Sequence, residues 1–76
     1  MANGNHFDTR ARVLDLLIEK VAADRYPSET MLNLIETLVE PDDVPAYAAV
    51  LMAKLEDETY PSIPMMRRLV ALGERY

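Results

Sequence analysis

Seventy-six residues make one domain, and area scaling has a chain of this size bury only about 60% of the surface its unfolded form exposes. Thirteen acids against eight lysines and arginines leave a net charge of −5, which argues against nonspecific affinity for nucleic acid or anionic lipid, since both need phosphate neutralised by Lys and Arg. Cysteine is absent, so neither disulfides nor thiolate metal sites can staple the fold, and apolar burial must hold it together.

Residues 1–7 are expected to form a flexible tail. Met1-Ala2-Asn3-Gly4-Asn5-His6 lacks the charged and apolar regions of a signal peptide, and no run approaches the roughly 18 apolar residues of a membrane span, which points to a cytoplasmic protein. His6 is the sole histidine and has no second ligand at helical spacing, so a solvated side chain is expected there rather than a metal ligand.

Asp8 is suited to cap a first helix, since its carboxylate can accept from first-turn amides. Leu14, Leu17, Ile18 and Val21, edged by Ala11 and Ala22, form its apolar stripe, and the helix is expected to run to about Arg25. Leu16 falls off the stripe. Tyr26 precedes Pro27 and is pushed out of the helical region, which stops the helix. Ser28 then caps a second helix, Glu29 meets its dipole, and Met31, Leu32, Leu34, Ile35, Leu38 and Val39 give it a broad apolar face down to Glu40. So short a link makes residues 8–40 an antiparallel hairpin.

Pro41-Asp42-Asp43 breaks the chain and opens a third helix, in which Pro45 is tolerated because first-turn amides have no intrahelical acceptor to lose. Its stripe is Val44, Tyr47, Ala48, Leu51, Met52 and Leu55. It ends in Glu56-Asp57-Glu58, acids at the negative end of the dipole that cost about a few tenths of a kcal/mol each. In the fourth helix Pro64 again takes a first-turn place, and Met65, Met66, Leu69, Leu72 and Tyr76 share one face. Arg67, Arg68 and Arg75 take the other, while Gly73 is an interior weakness of up to about 1 kcal/mol against alanine. Residues 43–76 thus make a second hairpin.

Tyr26-Pro27-Ser28 and Tyr60-Pro61-Ser62 stand 34 residues apart. That register aligns Leu17 with Leu51, Lys20 with Lys54, and Leu38 with Leu72, and it sets Leu16, off its stripe, against Val50, off its own. The expected fold is all-α: a small four-helix bundle of two antiparallel helical hairpins related by an approximate internal repeat. In it the first helix of each hairpin is buried on two sides, within the bundle or in a dimer. The period is that of tetratricopeptide repeats, but the small and aromatic signature residues of that family do not fall in register.

The chain has no Gly-rich phosphate loop, no His-Glu-x-x-His, no cysteine nucleophile and no histidine that could orient a serine, so no enzyme, cofactor or metal is expected. Charge is segregated: residues 40–58 set six acids against Lys54, whereas residues 59–76 set three arginines against Glu74. This layout suits a small acidic protein-protein interaction module, an adaptor, regulator or immunity-type inhibitor. Asp42, Asp43, Glu56, Asp57 and Glu58 would face a basic partner, and Arg67, Arg68 and Arg75 an acidic one. Leu16, Ala49, Val50 and Ala53 would serve self-association as a homodimer. Met31, Met52, Met65 and Met66 either fill the core or form an adaptable peptide groove.

Two other functions compete. The fourth helix could read DNA in a helix-turn-helix arrangement, against which stand the net charge of −5 and a turn with proline where such motifs usually have glycine. In size, acidity and helix count the chain also resembles acyl carrier proteins, but the Asp-Ser-Leu motif that carries their phosphopantetheine arm is absent, because Ser28 lies between Pro27 and Glu29.

Overall fold

The computed structural model describes residues 8–58 and 62–76. The expected tail with His6, and Tyr60-Pro61 of the second turn, lie outside the described residues. The described residues form four helices, α1 (Thr9–Ala23), α2 (Glu29–Leu38), α3 (Val44–Glu56) and α4 (Ile63–Arg75), with a 3-10 turn at Pro41–Asp43 before α3. Helix α1 packs on α2, α3 on α4, and α1 on α3, so the first helix of each hairpin has two neighbours. The fold is the expected all-α bundle of two helical hairpins.

Each helix start has a local chemical cause. Asp8 Oδ1 accepts from the Ala11 amide at 3.1 Å, Ser28 Oγ from the Met31 amide at 3.1 Å, and Ser62 Oγ from the Met65 amide at 3.3 Å. At the 3-10 turn the Asp43 amide donates to the Glu40 carbonyl at 2.8 Å while the Glu40 amide donates to Asp43 Oδ2 at 3.0 Å.

Two ends differ from expectation. Helix α1 stops at Ala23 rather than near Arg25, because Asp24 is extended and its Oδ1 accepts from the Tyr26 amide at 3.0 Å, an Asx turn that competes with another helical turn. Helix α2 stops at Leu38 rather than Glu40, with Val39 extended and buried.

The core is Leu14 and Val21 of α1, Leu32 and Ile35 of α2, Val39, Tyr47 and Leu51 of α3, and Leu72 of α4. Against it pack the half-buried Leu17, Ile18, Met31, Leu38, Met65 and Leu69. Leu34, counted with the apolar face of α2, is exposed instead.

The C-terminal end of α2, which has no glycine cap, is sealed by side chains from elsewhere. Arg10 Nη1 donates to the Leu38 carbonyl at 2.7 Å, Arg75 Nη1 to the Glu36 carbonyl at 3.3 Å, and Tyr76 Oη to the Val39 carbonyl at 2.9 Å. Three carbonyls that helix geometry leaves unpaired thereby tie α1 and α4 to α2. Among the described residues no helix is long and apolar enough to cross a membrane.

Candidate docking face on the third helix

From Pro45 to Leu55, α3 carries one charged side chain, Lys54. Its ammonium donates to the carbonyl oxygens of Asp24 and Ala22, the latter at 3.3 Å, and so serves the C-terminal end of α1. Tyr47, the other polar side chain of that stretch, is fully buried. The solvent side of α3 is therefore apolar along most of its length: Ala46, Ala49, Met52 and Ala53 are all exposed.

A groove flanks α3 on each side. Toward α1 it is lined by Ala22, Ala49, Val50, Ala53, Lys54 and Asp57. Toward α4 it is lined by Met52, Leu55, Glu56, Met66, Leu69 and Val70. The second is the more apolar in composition, and its walls stand well out: Val70 is 63% exposed and Met52 48%.

The acids expected to meet a basic partner divide. The side chains of Asp42, Glu56, Asp57 and Glu58 have no hydrogen bond or ion pair among the described residues. Asp43 is engaged within the fold, accepting from the Glu40 amide and lying 3.5 Å from Arg10 Nη1, so it leaves the expected acidic surface. Glu56 and Asp57 line one groove each, which places the acidic end of α3 at the mouth of both.

The set assigned to self-association divides as well. Ala49, Val50 and Ala53 share the groove toward α1. Leu16 does not line it and is 53% exposed, whereas Val50 is half-buried against the core. The register pairing of these two residues therefore does not extend to equivalent surroundings.

The expected basic face of α4 divides: Arg68 is drawn inward, while Arg67 and Arg75 are exposed. Arg68 Nη1 donates to Glu36 Oε2 at 2.8 Å, its Nη2 lies 3.9 Å from Glu29 Oε1, and its side chain is only 15% exposed. Arg75 donates to the Glu36 carbonyl and lies over the Tyr76 ring. Arg67 is exposed and holds no intramolecular partner among the described residues. Arg68 thus turns into the bundle, because Glu36 of α2 and Tyr47 of α3 offer a half-buried carboxylate and a buried phenol at its level.

Tyr47 Oη donates to Glu36 Oε2 at 2.7 Å. Burial, and then the Glu36 carboxylate that accepts its hydrogen bond, hold the Tyr47 phenol far above its ordinary pKa, with Arg68 opposing. This is the pKa behaviour of a structural hydroxyl kept neutral. Among the described residues no group of three or more His, Asp or Glu side chains is placed to hold a metal ion.

Sequence reading placed Met52 and Met66 on apolar stripes and took Val70 and Ile63 into no site. All four are exposed. For Met52 the available signal was the run of α3 from Pro45 to Ala53 without a charge, and for Ile63, Met66 and Val70 their recurrence on α4 at steps of three and four. Compared with known proteins, the chain matches no family model, no curated protein and no solved structure.

Proposed function

We propose that this protein is a non-enzymatic protein-protein interaction module, an adaptor, regulator or inhibitor, that receives its partner on α3 and the grooves beside it. The observation that carries this reading is the solvent side of α3, where Ala46, Ala49, Met52 and Ala53 are exposed and the only charge between Pro45 and Leu55 is tied to α1. A helix that is apolar all round is ordinarily buried, and contiguous apolar surface on a small soluble bundle marks a place where something docks. Unpaired Glu56, Asp57 and Glu58 beside that surface supply long-range attraction and orientation for a basic partner. DNA reading by α4 has less support, since Arg68 and Arg75 are held by groups of α2.

A photo-crosslinking residue placed singly at Ala49, Met52 or Asn33 in cells producing the full chain tests the reading. Adducts to the same protein from positions 49 and 52, with none from 33 on the exposed side of α2, are expected. Absence of adducts from 49 and 52, or equal labelling from all three, sinks it.

A further inference from the structure

We propose that the groove between α3 and α4 takes an amphipathic helix flanked by Lys or Arg. This rests on the interaction reading above and names the partner's chemistry. Ile63, Met66 and Val70 recur on α4 at steps of three and four and are all exposed, a second apolar stripe beside the one that faces the core. Met52 and Leu55 of α3 stand across from it. Two antiparallel helices with apolar ridges on a shared outer side leave a channel that suits the apolar face of a third helix, and methionine walls adapt to its side chains.

Gly73 continues this strip, three and four residues after Val70 and Leu69. A Cβ added there would meet nothing within 4 Å, so no packing among the described residues calls for glycine at a position where helix propensity disfavours it. What glycine does provide is an open floor on which another backbone can approach closely.

Charge selects the occupant. Glu56 lines the groove, Asp57 and Glu58 follow it, and none has a partner among the described residues. The nearby bases are directed elsewhere: Lys54 to the end of α1, Arg68 to Glu36, and Arg67 to the side of α4 that it shares with Glu29 and Glu36. A second copy, itself at −5, would bring like charge to this end, whereas Lys and Arg on a partner helix would be attracted.

The test uses the full chain and two synthetic helices with the same leucine face, one flanked by lysine and one by glutamate, titrated at low and moderate salt. The lysine helix is expected to bind at least about tenfold tighter, with the advantage shrinking as salt rises. Val70→Asp and Gly73→Leu should each weaken it about tenfold, while Leu34→Asp, an exposed apolar site on α2, leaves it unchanged. Gly73→Ala should raise the melting temperature, which separates a lost docking site from a damaged fold. No binding of the lysine helix, equal binding of both helices, or indifference to Val70→Asp and Gly73→Leu overturns the proposal. Sedimentation that reveals a dimer abolished by Val70→Asp also overturns it, by placing a second copy in the groove. The photo-crosslinking result from Ala49 is independent of these outcomes, so this groove can fail while the interaction reading stands.

Discussion

Arg68 of α4 meets Glu36 of α2 at 2.8 Å, although the backbones of those two helices do not pack against each other. The same carboxylate oxygen accepts from Tyr47 of α3 at 2.7 Å, so a single atom joins three helices. Glu36→Ala strands the buried phenol hydroxyl and a guanidinium that is mostly out of water, and is expected to cost about 2–3 kcal/mol. Arg68→Met keeps much of the side-chain stem and should cost about 1–2 kcal/mol. Urea unfolding of both single variants and the double variant is expected to be non-additive by at least about 0.5 kcal/mol; additivity would mean that Glu36 and Arg68 do not act as a pair.

The same hydroxyl makes stability depend on alkaline pH. The folded-state pKa of Tyr47 lies above its unfolded value, first through burial and then through Glu36, so the neutral form belongs to the fold. Its contribution is complete below the unfolded pKa of about 10 and is lost as pH rises from there, at up to about 1.4 kcal/mol per pH unit. Tyr47→Phe should be less stable at neutral pH yet show a shallower alkaline decline. Equal slopes for the two proteins between pH 9.5 and 11, read as urea midpoints at about half-unit steps, would refute this link.

Lys20 and Lys54 are equivalent in the 34-residue register but have different surroundings. Lys54 reaches two carbonyls at the C-terminal end of α1, while Lys20 is exposed without a partner among the described residues. Lys54→Met is expected to cost about 1 kcal/mol, which for a domain of this size is a fall of about 4–8 °C in Tm, and Lys20→Met to stay within about 0.5 kcal/mol. Equal losses at the two positions would restore their equivalence.

Local chemistry was legible in the sequence, and relations between the halves were not. Asp8, Ser28 and Ser62 cap as their side chains allow, because a cap needs only a residue and the amides three positions on. The buried Leu14, Leu32, Ile35, Leu51 and Leu72 follow from helical period. Arg68 carries no such mark. Its inward course depends on a carboxylate 32 residues earlier and a phenol on a third helix, and helical period sets it with Arg67 and Arg75. Likewise Leu34 and Met52 lie on apolar stripes but outside the arc their neighbours cover, since period gives direction around a helix and not the width of what packs there. For the docking face, the run from Pro45 to Leu55 held the clue, and only the placement of Lys54 on α1 turned it into an uncharged surface.

Val50 and Ala49 line the same groove toward α1, yet a charge at each should act differently. Val50 packs against the core, so Val50→Glu buries an unpaired carboxylate beside Leu51 and is expected to cost about 3 kcal/mol or more, enough to threaten the fold of so small a bundle. Ala49 is exposed, and Ala49→Glu, with good helix propensity, should stay within about 0.5 kcal/mol of the parent. Thermal melts of the two variants check the contrast. If Ala49→Glu destabilises the dilute protein as strongly as Val50→Glu, then Ala49 is packed in the isolated chain and the solvent side of α3 is not the open surface described above.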